Sequence, residues 1–139
     1  MSLYDVFNGD ADGICALHQY RLANPAESTL ITGVKRDIQL LKQIKAKAGD
    51  SIRVFDISFD KNRSAALDIL QAGADIEYFD HHFCGEVPEH EQLEIHIDTS
   101  AETCTSFIVN QYLQEKHWQW AVVGCFGDGF DDLARKLAE

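Results

Sequence analysis

The segment Phe7–Ala16 reads FNGDADGICA, with Asp10 and Asp12 separated by one residue just after an apolar run. Two carboxylates that close repel one another, and burial raises the cost of ionising each. They are stable either solvated in a turn or with a cation between or beside them. The same residue type recurs at the ends of further apolar runs: Asp56 in VFDIS, Asp80 followed by His81 and His82 in YFDHH, and Asp98 after LEIHI. Carboxylate oxygens and neutral imidazole nitrogens are the donors that suit Mn²⁺ and similar divalent ions. A shared carboxylate bridges two such ions about 3.5–4 Å apart in many phosphoryl-transfer hydrolases. The pattern therefore points to Asp10 and Asp12 divided between two cations. Taken singly, an aspartate at a strand end is an ordinary helix cap or turn residue. That reading has to be invoked separately at each strand end, and it weakens with each repetition.

Such residues need elements to bring them together, and short apolar runs do alternate with amphipathic ones. Strands are predicted at Leu3–Phe7, Thr29–Val34, Ile52–Ile57, Asp75–Phe79 and Leu93–Ile97. Helices are predicted at Asp12–Leu22 and from Asp37 through Ile38, Leu41 and Ile44 to a stop at Gly49. Another runs over 61–71, with Ala66, Leu67 and Leu70 on one side and Gly73 as terminator. Thr99 and Glu102 stand three apart, as in a capping box, and are expected to open a helix that buries Cys104, Ile108 and Tyr112. Trp118–Phe126 is ambiguous by periodicity and is read as a helix, and a last helix starts at Asp131. Strand–helix alternation of this kind predicts an α/β fold: a mainly parallel β-sheet with helices on both faces, in one domain over 1–139. In a parallel sheet ligands bind at the carboxyl ends of the strands, which is where the aspartates fall.

Twelve basic residues against 23 acidic ones give a net charge of −11. That argues against a partner such as long duplex DNA, but not against a phosphorylated small molecule or a short single strand, because bound cations reverse the sign locally. No apolar run approaches the length of a membrane-spanning helix. The first residues lack a basic stretch followed by an apolar one, so no signal peptide is expected and a cytoplasmic location is. Cys15, Cys84, Cys104 and Cys125 form no C-x-x-C pair, and are read as reduced thiols rather than a zinc site or a disulfide framework. His18, His90 and His96 are read as structural or exposed, and Trp118 and Trp120 as anchors of a helix against the sheet.

In order, FNGDADG, VFD, YFDHH and VVGCFGDG resemble the four motifs of the DHH phosphoesterase superfamily, of RecJ-like exonuclease and nano-RNase type, from Phe7 to about Asp128. The resemblance implies a Rossmann-like DHH catalytic domain. It implies that Asp10 ligates a first metal and Asp12 a second, that Asp56 bridges both, that His81 binds the second, and that Asp128 is the last aspartate ligand. His82 would face the scissile phosphate and stabilise charge there, and Asp80 would orient His81. The implied reaction is hydrolysis of phosphodiester or phosphoanhydride bonds in a nucleotide or short oligonucleotide, by hydroxide generated between two cations, Mn²⁺ or alternatively Mg²⁺ or Co²⁺. Gly13 is read either as letting a helix backbone approach a phosphate or as an ordinary helix-start glycine. By itself, GDG at 127–129 reads as a turn.

Two departures from the family stand out. The histidine usual two residues before the first aspartate is here Asn8, either a weaker ligand for a hard cation or a support for the turn. The further domain that commonly follows the fourth motif and closes over substrate is expected to be absent from these 139 residues, which are read either as the catalytic domain of a longer protein or as a shortened member. Both departures support a competing reading, a catalytically degenerate module that binds nucleotide or one metal. A third reading, a flavodoxin-like module with coincidental acidic loops, predicts no metal dependence of stability. Substrate identity and oligomeric state are not legible in the sequence.

Overall fold

The computed structural model describes residues 1–34 and 36–139. Five strands, β1 (Leu3–Asn8), β2 (Thr29–Gly33), β3 (Ser51–Phe55), β4 (Asp75–Asp80) and β5 (Leu93–Ile97), form one sheet in the order β2-β1-β3-β4-β5. Every neighbouring pair is parallel. The chain leaves β1 toward one edge and returns to build β3, β4 and β5 on the other side. The reversal lies between β1 and β3, where open α/β sheets form their ligand crevice.

Alternation along the strands divides the apolar residues between the faces. Val6, Ile52, Val54, Ile76 and Tyr78 pack against α2 (Phe59–Gln71) through Phe59, Ala66, Ile69 and Leu70. Phe7, Phe55 and Phe79 face the other way, against Ala16, Leu17 and Tyr20 of α1 (Ala11–Ala23) and Val109 of α3 (Thr105–Tyr112). Outside that layer lie α4 (Trp118–Gly127) and α5 (Asp131–Ala138), joined through Cys104, Cys125 and Ala134. The Cys104 and Cys125 thiols are buried and free, hydrogen-bonded to one another at 3.2 Å and not joined as a disulfide. No helix among the described residues is long and apolar enough to cross a membrane.

On the α1/α3 face, register aligns Phe7, Phe55, Phe79 and His96 in one rung across four strands. The Phe55 and Phe79 rings stack at 5.3 Å and those of Phe79 and His96 at 4.7 Å. Each phenylalanine immediately precedes a polar residue of interest, Asn8, Asp56 or Asp80, so this rung is the floor beneath the strand ends. Two residues back, register places Asp5, Arg53, Glu77 and Glu94 side by side, a charged rung on the same face.

Three expectations from the sequence are corrected. The helix expected from Asp37 to Gly49 is only a 3-10 turn at Leu40–Gln43, with Ile44 already extended. Asn62 of α2 is the physical reason: its side chain accepts from Leu41 N–H at 3.2 Å and donates to the Ile38 carbonyl at 2.6 Å, taking backbone groups that a helix would have paired internally. The capping box at Thr99 and Glu102 does not form. Helix α3 begins at Thr105, and Cys104 at its cap makes no side-chain capping bond; the cap comes from Asp12. Trp120 is 41% exposed and meets His18 of α1 edge-on at 4.6 Å, so it anchors α4 to α1 rather than to the sheet.

Candidate metal centre

Asp10 and Asp12 both cap helices, but different ones. Asp10 is the N-cap of α1 and its carboxylate accepts from Gly13 N–H at 3.0 Å. Asp12 points away from its own helix toward α3, accepting from Thr105 N–H at 3.1 Å on one oxygen and from Ser106 N–H at 2.7 Å on the other. Ser106 Oγ returns a bond to the Asp12 carbonyl at 2.9 Å. A fully buried carboxylate thus supplies the acceptors that the first turn of α3 lacks, and sits where the positive end of that helix favours negative charge. Thr105 and Ser106 were missed in the sequence. Their signal was present: Thr-Ser directly before the apolar run FIV is a helix start, masked by the better-formed pattern at 99–102.

Asp56 follows β3 with φ of 66°, a left-handed backbone uncommon outside glycine. Its N–H continues the ladder to the Phe79 carbonyl at 2.9 Å, and Tyr78 Oη donates to the Ile57 carbonyl at 2.6 Å, which holds the turn. The Thr105 hydroxyl donates to Asp56 Oδ1 at 2.9 Å. Burial pushes the Asp56 carboxyl up to about 10, with Asp12 and Asp10 adding to it.

His81 is where these carboxylates meet. Its Nε2 lies 3.2 Å from Asp56 Oδ1, 3.3 Å from Asp128 Oδ2 and 3.6 Å from Asp12 Oδ2. Asp128 is the C-cap of α4, so GDG at 127–129 is a helix end that delivers a carboxylate into the site, with the chain turning at Gly129. Asp12, His81 and Asp128 offer donor atoms within 4.8 Å of one another, as do Asp56, His81 and His82. Asn8, Asp10, Asp56, His82 and Asp128, with Ile38 and Ser58, line a cavity of about 200 Å³. Its described lining contains no lysine or arginine. The fully buried carboxylates of Asp12 and Asp56, with the partly buried Asp128 carboxylate and His81 imidazole, match a divalent cation in donor chemistry.

The remaining expected residues are placed as follows. Asp80 orients His82, not His81: Asp80 Oδ1 lies 2.6 Å from His82 Nδ1. The Asp80 hydrogen bond raises the His82 pKa against the opposing effect of burial. Gly13 meets the strand and not an incoming phosphate, since a Cβ there would collide with the Asn8 carbonyl and its N–H is spent on Asp10. Asn8 Oδ1 accepts from Asp10 N–H at 3.2 Å, so Asn8 supports the turn while lining the cavity. Asp98 stays outside: it is exposed and accepts from Ser100 N–H at 2.9 Å.

No protein-family model and no curated protein matches this chain. Among solved structures, it is similar to the crystal structure of exonuclease RecJ bound to manganese, with a TM-score of 0.63 and 17% sequence identity. The match covers 98% of this chain and 42% of the RecJ chain, so this chain has the fold of somewhat less than half of that protein.

Proposed function

We propose that this chain is a DHH-type, divalent-metal-dependent phosphoesterase domain that hydrolyses phosphodiester or phosphoanhydride bonds of a nucleotide or short single-stranded oligonucleotide. The observation that carries the reading is the convergence of Asp12, Asp56, Asp128 and His81, from four separate elements, on one point at ion-pairing distance. The manganese and the exonuclease activity named for RecJ agree with it in kind.

In this reading Asp12, Asp56, His81 and Asp128 hold the metal, Mn²⁺ before Mg²⁺ or Co²⁺ because imidazole is among the donors, with Asp10 and Asn8 on the cavity wall as further oxygen donors. Bound there, divalent cations supply a lowered pKa for water and neutralisation of phosphoryl charge. The chain does the rest. Asp80 fixes the Nδ1–H tautomer of His82 and favours its protonated form, so the half-exposed imidazole presents positive charge to a phosphoryl oxygen at the mouth. The aromatic floor of Phe55 and Phe79 closes the site from below and keeps the carboxylates in a low-dielectric setting. The net charge of −11 favours a short substrate over a long polymer.

The experiment is Mn²⁺ titration by calorimetry paired with hydrolysis of an aryl phosphodiester and of short oligonucleotides. Two equivalents of Mn²⁺ and chelator-sensitive turnover are expected, with Asp56→Asn losing at least one equivalent and turnover falling about 100-fold or more, since loss of even a group behind a ligand commonly costs about 10–100-fold. Turnover that persists in excess chelator overturns the reading. A second reading, a binding module without catalysis, is favoured by one observation: Asp12 has both oxygens engaged by backbone N–H groups and Asn8 Oδ1 is engaged by Asp10, so fewer lone pairs face the cavity. One equivalent of Mn²⁺ with no turnover would select it.

A further inference from the structure

Asp12 and Asp56 belong to different crossover units, yet one residue touches both. Thr105 gives its backbone N–H to Asp12 Oδ2 and its hydroxyl to Asp56 Oδ1. It is fully buried and stands at the first position of α3. In both bonds Thr105 is the donor. Its β-branched side chain is stiff at χ1, which makes the place of Oγ1 a direct consequence of where the helix backbone lies. That backbone is in turn held by Asp12, through Thr105 itself and through Ser106. The result is a short rigid link, carboxylate to amide to hydroxyl to carboxylate, running across the gap that His81 Nε2 faces from the β4 side.

We propose that Thr105 is a positioning residue: it sets the spacing and orientation of Asp12 relative to Asp56, and so the affinity of the centre for its divalent cation. The proposal rests on reading Asp12 and Asp56 as metal ligands. Asp56 needs such support more than most. Asp56 stands on a left-handed turn after β3, and Thr105 donates a hydrogen bond to its buried Oδ1 from a different element. Groups that hydrogen-bond metal ligands from behind commonly change metal affinity 10–100-fold when removed. No other residue on α3 reaches Asp56 by a described hydrogen bond.

The test compares Thr105→Val, which keeps the shape and the backbone N–H but loses the hydroxyl, with Thr105→Ser, which keeps the hydroxyl. Mn²⁺ affinity is read by electron paramagnetic resonance of free ion and by calorimetry, alongside the thermal midpoint of metal-free protein. Thr105→Val is expected to weaken Mn²⁺ binding about 10-fold or more, while Thr105→Ser stays within about 3-fold of wild type. Thr105→Ala carries the same expectation as Thr105→Val and only removes atoms, so it serves if the valine variant does not fold. Equal Mn²⁺ affinity in wild type and the hydroxyl-less variants, even with a lowered thermal midpoint, overturns the proposal and leaves the metal centre standing. A wild-type protein that takes up no divalent ion overturns the metal-centre reading, and this inference with it.

Discussion

Asp12 carries two demands on one carboxylate. Its oxygens terminate two backbone N–H groups of α3, and one of them also lies 3.6 Å from His81 Nε2. The first demand belongs to folding and is present without metal. Asp12→Ala would leave two buried donors without acceptors, a loss of about 3 kcal/mol in the metal-free protein. Asp12→Asn, which keeps one acceptor oxygen, is expected to lose less. Urea denaturation in chelator measures both, and a loss below about 0.5 kcal/mol for Asp12→Ala would show that the cap is not supporting α3. The opening DAD was legible as a site because aspartates recur at strand ends. The division of labour inside it was not, since a cap reaching from residue 12 to residue 106 leaves no local pattern to read. Asp80 makes the same point at shorter range: sequence puts it beside both histidines, and only geometry says which one it holds.

The elements were mostly readable because their periodicities are strong. β5 and the final helix agree with expectation residue for residue, and β1, β3, β4 and α2 differ only at their ends. The failure at 37–49 has a different origin. Ile38, Leu41 and Ile44 have the right spacing for a helix, and Leu41 and Ile44 are buried as such a face would be, but the amide of Asn62 supplies stronger local partners. Packing between helices makes its own demand at Gly124. A Cβ there would collide with the Ser106 side chain and press on Cys15 of α1. Gly124→Ala, ordinarily favourable within a helix, is expected here to destabilise by about 1–3 kcal/mol through overpacking. A urea midpoint that falls at unchanged slope checks it; a midpoint that rises would mean that α4 is free to shift away from α3. Because Ser106 also holds Asp12, the same variant should bind Mn²⁺ more weakly.

Across the whole molecule, the charged rung couples stability to pH. Glu77 lies between Arg53 and Glu94, on the face covered by Tyr20 and Tyr112, with its carboxyl pushed up to about 7 by burial and then by Glu94. A carboxyl that holds its proton more tightly when folded stabilises the fold at low pH, and loses that contribution as pH rises from its unfolded value, about 4.5, through about 7. The unfolding free energy should therefore fall from about pH 4.5 to about pH 7, the window that the two values define. Glu77→Gln should flatten that limb. Measuring the difference between wild type and variant cancels the parallel slope from Asp56, which is raised as well. An unchanged slope in Glu77→Gln would place the titration elsewhere.

The left-handed turn at residue 56 separates two things that usually come together. Asparagine and glycine satisfy such a backbone as readily as aspartate, and neither has a charge to strip of water. Conformation alone would thus have been met more cheaply by an uncharged side chain. What distinguishes the residue present is a carboxyl group whose proton burial holds in place and an arriving cation would displace, so on the proposed reading this corner answers to a visitor and not to the path of the chain.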